Sequence, residues 1–164
     1  MSSDTFTTAM FLIASIIAAA VLLNAVFPVI YTMTGTFSQS SHDADLRIRT
    51  DIKIINTYAK SGAAQIWMKN IGTSRIAYNE INMSDVFIGA PDDFESVPHK
   101  SGFLGGNGWS FVVLEDTNAW WESGETLHLS VESSKIPVAK GDIVYFQFVS
   151  VNGVVRAAEF PASG

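Results

Sequence analysis

The sequence predicts an α+β protein, a long apolar helix at the N-terminus followed by an antiparallel, immunoglobulin-like β-sandwich. Three observations carry this. No Asp, Glu, Lys or Arg occurs from Thr5 to Ser41. A strict apolar/polar alternation begins abruptly at Leu46. From there to the end, β-branched and aromatic runs recur at short intervals, bounded by Gly, Asn, Asp or Ser. A chain of 164 residues holds about one compact domain and an appendage. The expected division is an apolar helix with a polar extension over 1–45 and a sandwich domain over 46–164.

Residues 9–30 read AMFLIASIIAAAVLLNAVFPVI. At about 1.5 Å per residue this run spans roughly 33 Å, enough for a hydrocarbon core of about 30 Å. Large apolar residues lie on every side of it, as in a helix surrounded by lipid or by other helices. A cleaved secretory signal has a basic n-region and an apolar run of about 7 to 15 residues. Here the flank MSSDTFTT holds Asp4 and no Lys or Arg, so the segment reads as a retained helix.

Within the helix, Ala14, Ala18 and Ala25 share a face, with Ser15 and Ala19 beside them. Such small-xxx-small spacing lets helix backbones approach closely. Asn24 is a polar side chain deep in the run. Pro28 denies the Asn24 carbonyl its helical partner and predicts a kink. Together they predict a helix–helix contact. After the helix, Arg47, Arg49 and Lys53 would by charge alone place the C-terminal part in the cytoplasm. They lie beyond about 15 residues from the apolar run and alternate with Asp45 and Asp51, so they carry little topological weight.

The stretch TMTGTFSQSSHDAD over 32–45 extends the helix or serves as a linker. Leu46, Ile48, Thr50, Ile52 and Ile54 alternate with charged residues and predict a half-buried strand over 46–54. Further strands are expected at 64–69, 82–88, 110–114, 126–132, 143–151 and 154–160. Between the last two, Asn152-Gly153 predicts a type I′ hairpin turn. Seven strands without a second long helical pattern point to an immunoglobulin-like sandwich, without the disulfide of antibody domains because the chain has no cysteine.

Candidate chemistry is sparse. A net charge of −6 with no basic stripe excludes nucleic acid as the expected partner. Zero cysteines exclude a thiol nucleophile and a thiolate metal site. His42, His99 and His128 are scattered without ligand spacing and read as surface residues. The Gly-rich stretch 102–108 lacks the Lys and helix of a phosphate loop. Asp92, Asp93 and Glu95 have the composition of a calcium loop without its order, and read as an acidic turn. No catalytic residues, cofactor or metal are therefore expected. Trp67, Trp109, Trp120 and Trp121 are a heavy aromatic load, suited to a core or a subunit interface. Asn82-Met83-Ser84 is a possible glycosylation sequon at Asn82.

Five phrases, MSSDTFTTAMFLIASIIAAAVLLNAV, RIRTDIKIIN, WMKNIGTSRI, WWESGETLHLS and KGDIVYFQFVSVNGVVRAAEF, together make a sequence that resembles the archaellum accessory proteins of the FlaG (ArlG) type. These belong with the archaellins and other archaeal type IV pilin-like proteins. The resemblance implies a structural component of the archaellum, the archaeal motility filament and motor. Its apolar helix would form homo-oligomers or filaments or sit in membrane lipid. Its extracytoplasmic sandwich would contact subunits, other archaellum components or the cell envelope. Archaellin precursors usually carry a basic residue and Gly before the helix. Residues 1–8 hold neither, which favours an accessory component over a processed subunit. A membrane-tethered binding module or adhesin pilin is the other reading.

Overall fold

In the computed structural model, the structure describes residues 2–102, 105–115 and 118–164. It comprises two compact units, Met1–Ala44 and Asp45–Gly164. One helix, α1 (Ser2–Arg49), runs through the first unit and ends within the second. It passes Pro28 without interruption, so the lost Asn24–Pro28 hydrogen bond does not end it. Residues 32–45, open between helix and linker on sequence, are helical.

The helix also takes residues 46–49, where alternation predicts a strand; the first strand, β1, is Ile52–Lys60. The alternation is real but its register is not used, and Ile48 is 83% exposed. Local bonds decide the outcome. Asp45 pairs with Arg49 one turn on, and Thr50 closes the last turn with both its amide and its hydroxyl on the Leu46 carbonyl, at 3.0 and 2.8 Å. The Arg49 carbonyl, left without a helical partner, accepts from the amides of Thr73 and Ser74 at 2.9 and 3.1 Å.

The remaining elements are β2 (Ala63–Asn70), β3 (Ile76–Ala77), α2 (Tyr78–Asn82), β4 (Asp85–Ala90), β5 (Asp93–Val97), β6 (Gly108–Leu114), β7 (Trp120–Trp121), β8 (Thr126–Glu132), β9 (Ile143–Val149) and β10 (Val155–Pro161). Two four-stranded antiparallel sheets, β1-β2-β8-β6 and β10-β9-β4-β5, make the sandwich; β3 and β7 form a small ribbon. Period-two burial along β8 and β9 places Leu127, Leu129 and Val131 opposite Val144, Phe146 and Phe148 in one core, with Trp109 and Trp121 fully buried.

Several sequence readings need correction. The strand expected at 82–88 begins at Asp85, because Asn82 closes α2. There the Glu80 carboxylate accepts from the Ala77 amide at 2.8 Å and holds the turn. The acidic stretch is only partly a turn: Asp93 and Glu95 lie on β5, an edge strand too polar to read as one. The hairpin at Asn152-Gly153 is not type I′, which needs positive φ at both central residues. Only Gly153 has it, at 79°. The Gly153 amide donates to the Ser150 carbonyl at 2.8 Å, and the Ser150 amide to Val154 at 2.9 Å. This is a three-residue loop ending on a left-handed glycine.

Hydrogen bonds tie the two sheets together at both open sides of the sandwich. After β5 the chain crosses to β6, where Lys100 and Trp109 amides bond the Trp109 and Pro98 carbonyls at 2.8 and 2.9 Å. On the other side β1 is tied at both ends, to β10 and to the residues that follow it. Arg156 donates to the Ile52 carbonyl and pairs with Asp51, each at 2.6 Å, and the Ser163 amide takes the Ala59 carbonyl at 2.8 Å. A bulge at Ile55 interrupts the register of β1 between these ties. A strand capped at both ends and bulged in the middle is a poor template for another strand.

Candidate functional site

Two surfaces are candidates for function, the helix of the first unit and the outer faces of the sandwich. On the helix every described residue from Ser3 to Ala44 is exposed, including Phe11, Ile13, Ile17, Val21, Leu23 and Phe27. So broad an apolar surface is not stable in water and requires lipid or other helices as a cover. The predicted packing residues Ala14, Ser15, Ala18, Ala19, Asn24, Ala25 and Pro28 all lie on this surface. Ser15 and Thr32 turn their hydroxyls back to the Leu12 and Pro28 carbonyls, both at 2.8 Å. The side-chain amide of Asn24 has no hydrogen-bond partner among the described residues.

The four tryptophans separate into two pairs. Trp109 and Trp121 are fully buried. Trp121 donates its Nε1–H to the Glu125 carbonyl at 3.0 Å, while Trp109 Nε1 has no partner among the described residues and the ring packs edge-on against His99, centroids 4.8 Å apart. Both belong to the core and leave the set of candidate interface residues. Trp67 and Trp120 remain partly exposed. Trp67 stacks on His128 at 4.6 Å and 16°, and the Arg75 guanidinium lies 4.1 Å over Trp120. Burial lowers the pKa of His99 and of His128 below the usual imidazole value.

Register defines the outer faces, because residues paired across antiparallel strands share a face. On the β1-β2-β8-β6 sheet one outward row runs Asn56, Trp67, His128, Val112. The next row toward the start of β1 runs Lys53, Lys69, Thr126, Leu114. Lys53 and Lys69 are directly opposite, and neither has a carboxylate at ion-pair distance among the described residues. At the far end are Lys60 and Glu132.

On the β10-β9-β4-β5 sheet the outward rows are Glu159, Tyr145, Gly89, Phe94; Ala157, Gln147, Phe87, Ser96; and Val155, Val149, Asp85. The Phe94 and Tyr145 rings meet at 5.0 Å across Gly89. Asp85 and Glu159 have no cation at ion-pair distance among the described residues. Neither face was visible without the strand pairings.

Asn82 is exposed at the end of α2, and the Ser84 hydroxyl of its sequon donates to the Glu80 carbonyl at 2.9 Å. The acidic residues do not converge. Glu95 accepts from Asn107 and Ser133 at 2.7 and 2.6 Å, Asp93 pairs with Lys135, and no cluster of three potential metal ligands occurs among the described residues.

Comparison with known proteins agrees with this anatomy. The chain is 27% identical to an uncharacterised protein of Archaeoglobus fulgidus over 98% of both chains. Among solved structures it is similar to the archaellum periplasmic stator protein FlaG of Sulfolobus acidocaldarius (TM-score 0.55, 20% identity, 68% of this chain and 99% of that one). The FlaF–FlaG stator complex of the same organism gives a TM-score of 0.54 at 20% identity, over 66% of this chain and 87% of that one. The archaeal flagellum of Methanospirillum hungatei gives 0.68 at 11% identity, over 96% and 93%. The family model for archaeal-type flagellins matches residues 2–160, from the start of the helix to the last strand. The chain belongs to the archaeal-type flagellin family.

Proposed function

We propose that this chain is a structural component of the archaellum that assembles through its helix and carries its sandwich outside the cytoplasmic membrane. The observation that carries this reading is the unbroken α1, whose apolar run is exposed on all sides, in a chain that belongs to the archaeal-type flagellin family. An apolar helix of this length finds its cover in lipid, in copies of itself, or in both. The neighbours fit both settings. The stator matches cover about two thirds of this chain, and the filament match includes nearly all of it. The helix residues Ala14, Ala18, Asn24 and Ala25 form the contact between copies in this reading. The partners are other copies, other archaellum components or the envelope, and membrane lipid, and the role requires no catalysis or cofactor.

Imaging of the native protein after gentle extraction tests the reading. A polymer with buried helices identifies a filament subunit, and small membrane-bound oligomers an accessory component. A protein found monomeric in the membrane under all conditions overturns it. The partly exposed Trp67 and Trp120 favour a second reading, a tethered binding module or adhesin. That reading requires ligand binding to survive loss of helix association.

A further inference from the structure

The sandwich presents two outer faces of opposite character, on opposite sides of one domain. The first carries Lys53, Lys69 and Lys60 against a single acid, Glu132, around an apolar centre of Trp67, Val112 and Leu114. Val112 is 60% exposed. The second carries Asp85 and Glu159 with no base in its rows, around Phe94, Tyr145 and Phe87. The chain as a whole is acidic, so a face with an excess of lysine stands out. Like charges placed directly opposite in a sheet are destabilising. The Lys53–Lys69 pair is therefore a cost that folding alone does not recover.

We propose that the lysine-bearing face of one copy docks on the acidic face of the next. Apolar centres would cover each other, and Lys53 and Lys69 would gain the carboxylates that they lack within their own chain. Joining two different patches makes the contact heterologous, so each docked copy still offers one free face of each kind. Contacts of that type propagate into rings or open helical arrays rather than closing at a dimer. This deepens the assembly reading and rests on it only for the supposition that copies lie side by side.

The absence of cysteine makes disulfide trapping in the full-length, membrane-reconstituted chain a clean test. Copies carrying Val112→Cys are mixed with copies carrying Ser96→Cys and oxidised. The mixture is expected to crosslink, and either variant alone to give little. Lys53→Glu with Lys69→Glu on the Val112→Cys copy should reduce the mixed yield about tenfold or more, because like charges now face each other. Adding Asp85→Lys and Glu159→Lys to the Ser96→Cys copy should restore it. Equal crosslinking of Val112→Cys copies with themselves, or a yield indifferent to the charge reversals, overturns the proposal. So does loss of binding to phosphatidylglycerol vesicles on lysine reversal with the crosslinks unchanged, which would assign that face to lipid. A parallel Ala18→Cys crosslink reports the helix contact. If it forms and the sandwich crosslinks do not, this inference fails alone; if it does not form, the assembly reading fails as well.

Discussion

At the scale of single residues, the fold depends on the absence of a side chain at Gly89. A Cβ there would lie 2.5 Å from the Asp93 carbonyl oxygen and 2.6 Å from the Phe94 Cα, both backbone atoms of the adjoining strand. Gly89→Ala should destabilise the sandwich by about 1 to 3 kcal/mol, the usual cost of overpacking, read as a lower denaturant midpoint. His99 and His128 make a second prediction. Burial depresses both pKa values in the folded state, so their neutral forms favour folding above the unfolded value of about 6.5. That contribution is lost as pH falls from there toward the depressed values. The midpoint should fall between pH 7 and pH 5, and less steeply once His128 is replaced by Gln. Asn24 acts in the membrane instead. Asn24→Leu keeps apolar bulk and should insert normally, while association weakens by about 0.6 to 2 kcal/mol per lost interhelical hydrogen bond. Unchanged crosslinking would leave the alanine face as the whole contact.

Among elements, α1 shows where a sequence is legible and where it is not. Its apolar run announces itself because twenty or so uncharged residues have few other uses. Its continuation does not. Thr32, Thr34, Gly35, Thr36, Ser38, Ser40 and Ser41 have low helix propensity, although Thr32, Thr34 and Thr36 return their hydroxyls to the preceding turn. A peptide of residues 31–49 should therefore show little helix by circular dichroism in water, since a nucleus is costly and the segment propagates poorly. Strong helicity there would mean that the segment needs neither the run before it nor the domain after it. Strands with a clear alternation were the readable ones. For β8, buried on alternate positions, the predicted range 126–132 matches the strand itself. The edge strand β5 and the two-residue β3 and β7 carry too little periodicity to declare themselves. The tryptophans illustrate the same limit for sites. Composition marks all four as important, but only register separates the buried Trp109 and Trp121 from the partly exposed Trp67 and Trp120.

For the whole molecule, the sandwich core draws only on residues beyond α1, so residues 45–164 should express as a soluble, β-rich domain. A far-ultraviolet spectrum dominated by helix would contradict this. Family and architecture were readable together because each half of the chain is unlike most alternatives; the paired faces needed the topology. The junction has its own consequence. Arg47 donates to the Asn152 and Gly153 carbonyls, the 71–74 loop donates to the Arg49 and Asp51 carbonyls, and Arg156 grips Asp51 and Ile52. Tension that arrives along the chain from the N-terminal side is thus shared between two segments, the 71–74 loop and the β9–β10 hairpin, by the time it reaches the first rung of β1. A sandwich moored in this way is loaded through several parallel bonds at once, and a pull on its tether does not begin by peeling the edge strand from its sheet.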